Sequence, residues 1–451
     1  MKHLALYIVM VIVCLLAFVN CSSSTDQLRC NVGIADITPE ESVILAGFAA
    51  REGLSTGIHR PLKTRCIVIE NDSARICIIS NDMMEISIST ANDLRQEIAV
   101  QTGIPYNHIF IHCTHTHSAP RAGGSSVEKG GTNYAFAKKF RETVVRNAAQ
   151  TANNKKAFIP FTIETGKGEC EINCNRREKD GPCDHDVYLA HFLDKKKKNI
   201  VSLLNFACHP VSLNHRSLVV STDFPGITVE ELSKEWGNGI FYFSGAAGNV
   251  DPCGALKADT AYTQARGMEL ADAVRNIRTE KIKKNHILRV SNREVKLPFR
   301  VPEITPEIVN AHADEIKQWN AFGTWQNDVE RWRSATLEKI EKGEVKNWLS
   351  FEIASVNIGG LILFFSQGEP FNEYQTLLRE NNPDNPVFFI AYTNGQNSYL
   401  PSKYAFGRDG YEYEKEQMHI YIGTPYPLSD EMPAVYEMAI EQVVNDVTSN
   451  Q

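Results

Sequence analysis

Apolar positions along this chain fall into two rhythms. Dense short runs such as "RCIVIE" (Arg65–Glu70), "RICIIS" (Arg75–Ser80), "HIFIHC" (His108–Cys113), "IVSLLNFAC" (Ile200–Cys208), "IFYFSG" (Ile240–Gly245), "LILFFS" (Leu361–Ser366) and "VFFIAY" (Val387–Tyr392) have the length and β-branched or aromatic content of buried strands. "ILRVSNREVKL" and "LSFEIASVNIG" read as longer strands. Between them lie amphipathic helical patterns, including Thr90–Thr102 and Ala261–Arg278, and the chain closes on helix-like "LSDEMPAVYEMAIEQVVNDV". The alternation predicts a mixed α/β (α+β) fold, with a β-sheet core flanked by helices. Val301–Lys346 breaks the rhythm: it has few strand signals and many charges, and reads as a helical excursion. Its Trp319, Trp325 and Trp332 either pack on the main body or line a substrate entrance, packing being the commoner use. No solenoid-length repeat and no Gly or Pro linker divides the chain, so residues 26–449 are read as one domain.

Composition narrows the partners. At 451 residues and 43% hydrophobic content the chain can bury a large core. A net charge of −7, with Lys and Arg scattered, offers no basic stripe for nucleic acid. The one basic run, Lys195–Lys198, sits between two strand-like segments as a solvated hairpin tip. The opening "MKHLALYIVMVIVCLLAFVNCSSS" has a basic start, an apolar stretch from Leu4 to Val19 and an abrupt polar end, so residues 1–21 read as an export signal. Cys21 stands where a bacterial lipoprotein is cleaved and acylated, although Asn20 and Phe18 are bulkier than the residues that usually precede such a cysteine. Export to the periplasm or the outer-membrane surface is expected, with a membrane tether through Cys21. Beyond the leader, nine cysteines remain. Cys170, Cys174 and Cys183 suggest a local disulfide, while Cys113, Cys208 and Cys253 read as small core residues.

The candidate chemistry sits where strands stop. In "IFIHCTHTHS" a period of two puts Ile109, Ile111 and Cys113 on one face, and His115 and His117 continue it, while His112 points the other way. A second apolar strand runs into His209 and is stopped by Pro210, which a central strand does not accommodate. A third ends at Gly368, Glu369 and Pro370, and a fourth runs into a polar loop bearing Tyr399. Singly, each is as well explained by a core histidine or a solvated turn. Together, two histidines and a carboxylate form a set that suits Zn²⁺ and leaves a position for water.

The motifs around these residues resemble the catalytic domain of the neutral, non-lysosomal ceramidases, zinc amidases that release fatty acid from N-acyl sphingoid bases. "VGIADITP" with "GIHRPLKTR" is similar to the family's opening, "THTHSAPRAGG" to its T-H-T-H-S-G-P-G-G signature and "INCNRR" to its N-R-S segment. "FACHPVSLN", "VSTDFPG" and "GAAGNVDP" follow in family order, then "QGEPF" and "YTNGQNSYLPS". The resemblance implies zinc ligands at His115, His209, Glu369 and Tyr399, with His117, Arg176 and Tyr411 beside the substrate. It does not extend to the family's C-terminal immunoglobulin-like domain. One departure bears on chemistry: where the family has G-D-V-S-P, "GNVDP" carries Asn249 for the aspartate and Asp251 for the serine, a carboxylate that accepts hydrogen bonds but, when ionised, donates none.

The expected function is therefore an exported, zinc-dependent hydrolase of an amide (N-acyl) bond in a small-molecule substrate. Zinc-activated water would attack the carbonyl, His117 and Tyr411 would serve the oxyanion, Arg176 would orient the substrate and Asp251 would act as base or anchor. Two alternatives stay open: cleavage of an ester or glycosidic bond at the same site with Asp251 as acid/base, and a non-catalytic surface lipoprotein that keeps metal for structure.

Overall fold

The computed structural model describes residues 27–449, apart from 124, 283–285, 320–325, 397, 409, 411, 413–418 and 421–422. The leader, Cys21 and Tyr411 thus lie outside the described residues. Three sheets form the frame. The first contains β1 (Arg29–Asp36), β2 (Lys63–Glu70), β3 (Arg75–Asn81) and β4 (Ile109–Cys113), the second β5 (Thr162–Glu169), β6 (Asp186–Leu193), β7 (Asn199–Phe206) and β8 (Ile240–Ser244), and the third β9 (Leu288–Pro298), β10 (Trp348–Ile358), β11 (Leu361–Ser366) and β12 (Val387–Ile390). Most neighbouring strands pair antiparallel, but each sheet has one parallel pair at an edge: β3 with β4, β7 with β8, and β11 with β12.

Alternation of side chains explains how the sheets stack. Ile67, Ile69, Ile76, Ile78 and Phe110 of the first sheet meet Phe192, Leu203, Phe241 and Phe243 of the second and Val356, Leu363, Phe365 and Ile390 of the third in one shared interior. Phe110 stacks on Phe365 at 4.3 Å. The alternate residues face helices: α1 (Ile88–Thr102) and α2 (Tyr134–Asn153) cover the first sheet, α3 (Asp223–Trp236) and α4 (Thr260–Arg275) the second. The excursion over 301–346 forms α5 (Pro306–Trp319) and α6 (Gln326–Glu341), and α7 (Asn372–Glu380) and α8 (Met432–Thr448) cover the third sheet. Trp332 is buried, with its indole N–H donating to the Thr424 carbonyl at 2.8 Å, so it packs rather than lines an entrance. Lys195–Lys198 lies in the turn between β6 and β7.

The three edge strands touch at their C-terminal ends. Cys113 N–H donates to the Tyr392 carbonyl at 3.1 Å, Ala391 N–H to the Ser244 carbonyl at 3.0 Å, and Ser244 N–H to His112 Nε2 at 3.2 Å. His112 is thereby a bridge between sheets, and burial pushes its imidazole down to about 3, so it stays neutral. Beneath this junction Arg95 of α1 makes a two-armed pair with Glu352 of β10, both contacts at 2.9 Å. Glu352 also accepts from Asn394, whose side-chain oxygen accepts from Ile111 N–H.

The cysteines differ from expectation. All nine are free thiols. Cys170 is buried beneath α3 and α4, while Cys174 lies against Cys253, with Cys183 in the same neighbourhood, so the near partner of Cys174 is one that spacing along the chain does not suggest. Cys253 is half-buried and is not a core residue; Cys113 and Cys208 are buried.

Asp223 opens α3 with a left-handed φ of 55° and is fully buried. Its carboxylate accepts from Phe224 N–H at 2.7 Å and from Leu213 N–H at 3.4 Å, holding the segment that follows His209. Burial pushes this carboxyl up to about 6 from its ordinary 3.8. A carboxyl raised on folding favours the folded state when protonated, so its contribution is complete below about pH 4 and is lost as pH rises through 6. The shift corresponds to roughly 3 kcal/mol. Urea unfolding of metal-free protein between pH 4 and 7 should show wild type losing about that much relative to Asp223→Asn. A wild-type-to-variant difference that stays constant with pH refutes the assignment.

Candidate metal centre

Each of the three sheets delivers part of the site. β4 ends at Cys113, and His115 then takes a left-handed φ of 67°, so the chain turns here instead of continuing the strand face. His115 is held by its backbone N–H to the Met83 carbonyl and by its ring Nδ1 to the Met84 carbonyl, both at 2.9 Å. From the second sheet, His209 lies on the loop beyond β7, with Nδ1 at 3.1 Å from the Ala247 carbonyl. From the third, Glu369 follows β11, and its main chain pairs in parallel with Tyr399. The loops are stitched together: His117 N–H donates to the Pro210 carbonyl, His209 N–H to that of Val250, and Arg176 N–H to that of Asn249.

The side chains converge at one point. His115 Nε2 lies 3.3 Å from Glu369 Oε2, and His209 Nε2 lies 3.7 Å from the same oxygen. His117 Nε2 is 3.4 Å from His115 Nε2 and 3.1 Å from His209 Nε2. A carbonyl only accepts, so Nδ1 of His115 and of His209 must carry the proton and each Nε2 offers a lone pair. Glu369 Oε2 is buried without a hydrogen-bond partner. His117 can donate a single proton into this group, which leaves at least two buried acceptors facing one another. A cation satisfies them all, and a nitrogen-rich set with one carboxylate oxygen suits zinc. The three histidines are the group able to hold a metal among the described residues. His117, expected beside the substrate, therefore lies as close to this centre as the expected ligands do.

Gly47 makes room for this packing. Its φ of 102° suits glycine, and a Cβ there would stand 2.5 Å from the His117 ring. Arg51 holds the same turn, donating to the carbonyls of Ala46 and of His117. Burial, reinforced by the neighbouring positive charges, drives the His117 and His209 imidazoles well below their ordinary range.

Beside the histidines, Arg176 leaves the short strand Asn173–Asn175, which pairs antiparallel with Val250–Pro252. Its guanidinium lies 3.6 Å from Asp251 Oδ1, 2.5 Å from Glu412 and 5.5 Å from the centre of the Tyr399 ring. Arg177 grips both oxygens of Glu412. Asp251 Oδ1 is buried without a hydrogen-bond partner, and burial raises this carboxyl against the pull of Arg176 and Arg177. Asn249 serves the scaffold: its amide donates to Glu373 and its oxygen accepts from Asn372 N–H, tying the loop to α7.

Four residues at the centre carry no motif that singles them out. Tyr392 stacks on His115 at 4.0 Å between ring centres. Gln396 donates to Glu369 Oε1 at 2.6 Å. Glu412 anchors both arginines, and Glu85, half-buried, is pushed up to about 7 by burial. Tyr392 and Gln396 stand on the loop carrying Tyr399, but nothing in the sequence marks which side chains of that loop reach the centre.

Comparison with known proteins follows the same lines. Residues 29–250 match the family described as neutral/alkaline non-lysosomal ceramidase, N-terminal. That range holds His115, His117, Arg176 and His209; Asp251, Glu369 and Tyr399 lie beyond it. Neutral ceramidase A of Dictyostelium discoideum is 26% identical over 225 residues, covering 45% of this chain and 31% of that protein. A neutral ceramidase of Oryza sativa subsp. japonica is 25% identical over 244 residues, covering 49% and 31%. The matched region thus spans about a third of the length of these relatives. The crystal structure of neutral ceramidase from Pseudomonas aeruginosa superposes with a TM-score of 0.68 at 18% identity, covering 93% of this chain and 74% of that one. These matches place residues 29–250 with the N-terminal domain of the neutral/alkaline non-lysosomal ceramidases, and the chain shares their fold over nearly all its length.

Proposed function

We propose that this protein is a zinc-dependent hydrolase that cleaves an amide (N-acyl) bond of a small-molecule substrate. The observation that carries the reading is the buried group of acceptors at His115, His209 and Glu369, with His117, Arg176 and Asp251 alongside. The relatives are neutral ceramidases, which makes an N-acyl lipid the first substrate class to try. His115, His209 and Glu369 would hold the ion, with Tyr399 as the fourth ligand that the resemblance implies. A zinc ion there would supply Lewis acidity, lowering the pKa of water toward 7 and polarising a carbonyl.

The chain's own groups do the rest. His117, kept neutral by burial, has one ring N–H to give to an oxygen that gains charge. Arg176 presents a planar fork, held in place by Glu412, for the acceptor side of the substrate. Asp251 faces the same space with Oδ1 3.6 Å from the Arg176 guanidinium, a loose ion pair that would leave the oxygen able to take a proton or anchor a donor group of the substrate. Tyr411 remains a proposed spare donor. Burial that raises the Asp251 carboxyl also favours a second reading, in which a protonated Asp251 serves as the acid for an ester or glycosidic leaving group.

Metal analysis of purified protein should find about one zinc per chain, and His115→Ala and His209→Ala should each abolish it. Full occupancy in both variants sinks the metal reading. Asp251→Ser and Asp251→Asn should each cut turnover by about 10² while zinc stays bound, if Asp251 transfers a proton. Wild-type rates in both would make Asp251 a bystander. A hydrolysis screen over N-acyl lipids, N-acyl amino acids, N-acetyl sugars and glycosides separates the readings by product. Absence of all turnover in the zinc-loaded protein would favour a structural metal.

We also propose export and tethering through Cys21. No helix among the described residues is long and apolar enough to cross a membrane. Mature protein from its host should lack Leu4–Val19, and Cys21→Ser should shift it from membrane to soluble fractions. An intact amino terminus contradicts export.

A further inference from the structure

Glu369 is gripped from behind. Gln396 Nε2 lies 2.6 Å from Glu369 Oε1, while Glu369 Oε2 faces His115 and His209. An ionised carboxylate accepts and cannot donate, so chemistry fixes the amide with its nitrogen toward Glu369. One carboxylate oxygen is thus occupied by the protein and the other is turned to the centre. Gln396 is itself fixed: its backbone N–H donates to the Ile86 carbonyl at 3.0 Å, and it forms a parallel bridge with Ser87. Its neighbour Gly395, at φ 108°, sits so close to the start of α1 that a Cβ would meet Ile88 N at 2.8 Å. The strap bearing Ile86 and Ser87 begins with Met83 and Met84, whose carbonyls orient His115.

We infer that Gln396 is a positioning residue of the metal centre: its amide makes Glu369 offer a single oxygen, and its backbone ties that clamp to the strap Met83–Ser87, which also aims His115. One short segment therefore sets the relative placement of two groups that come from different sheets. The inference rests on the metal reading above and assigns Gln396 no contact with substrate. Groups that orient a ligand typically change metal affinity by about 10- to 100-fold when removed.

The test compares wild type with Gln396→Met, which keeps length and packing but removes the donor. Zinc affinity is measured by competition with a chromophoric chelator, the visible spectrum is recorded with Co²⁺ in place of zinc, and melting of the metal-free proteins is followed. The variant should bind zinc about 10- to 100-fold more weakly, show an altered cobalt spectrum because both oxygens of Glu369 become available, and melt with wild type when metal-free. Equal affinities with superimposable cobalt spectra overturn the inference and leave the metal reading intact. Weaker binding with an unchanged cobalt spectrum and a lowered metal-free melting temperature also overturns it, assigning the effect to the fold. Wild type that takes up no zinc overturns the metal reading first.

Discussion

Lone pairs that face one another in a buried space repel, and the centre of this protein is built from them. Nε2 of His115 and of His209 and Oε2 of Glu369 have no proton to exchange, and each is turned inward by a bond made on its far side, to Met84, Ala247 and Gln396 respectively. Leaving buried acceptors unsatisfied costs about 1–3 kcal/mol apiece, more where one is charged. The surrounding fold must therefore hold them against that repulsion, which a bound cation would compensate. The left-handed backbone at His115 and the tight seat of His117 over Gly47 are local signs of the same compression.

Three separate sheets do this holding together. Because β4, β8 and β12 are all edge strands paired in parallel with an inner neighbour, their C-terminal ends come together, and the loops that follow them and their neighbours open on the same side. Parallel-paired edges leave backbone groups to be satisfied, and here the edges satisfy one another through Cys113, Ser244 and Ala391. Arg95, Glu352, Asn394 and Gln367 then lock the junction from below: Gln367 accepts from Glu352 N–H at 2.7 Å and donates to the Asn394 carbonyl at 3.0 Å. A single ion pair among these would contribute little, but a connected network of hydrogen bonds favours one arrangement of the strands. The candidate metal centre inherits its geometry from that junction.

How much of this the sequence discloses depends on whether a feature is local. Strands such as Arg65–Glu70 and Leu361–Ser366 announce themselves because both faces are buried, which makes their runs continuously apolar. β5, with "TIETGKGE", gives no such signal because its exposed side is polar and its glycines lie against Ile277. The period-two argument for His115 and His117 stops working at Cys113, since a positive φ cannot be read from a histidine in a row of polar residues. Glu369 and Tyr399 are legible as strand ends. Gln396 and Glu412 are not, because their importance comes from partners 27 and 236 residues away. For the cysteines, proximity in sequence misled: Cys174 meets Cys253 through strand pairing, which spacing along the chain does not encode.

The same long-range logic bears on the pocket beside the metal centre. Relative to the family motifs N-R-S and G-D-V-S-P, this chain has Arg177 in place of one serine and Asp251 in place of the other, and strand pairing brings the two replacements into one neighbourhood. Arg177 lowers the Asp251 carboxyl electrostatically and, with Arg176, binds Glu412, so two guanidiniums are balanced by two carboxylates in a largely buried space. Either replacement alone would leave an uncompensated charge there, which costs several kcal/mol. Together they convert a region of hydroxyl groups into one of fixed, paired charge. A surface of that kind desolvates poorly against a hydrocarbon chain and well against a partner that offers hydrogen bonds. The charge at Asp251 is thus sustained by its neighbours: Arg176 and Arg177 offset it, and Glu412 holds both guanidiniums in place.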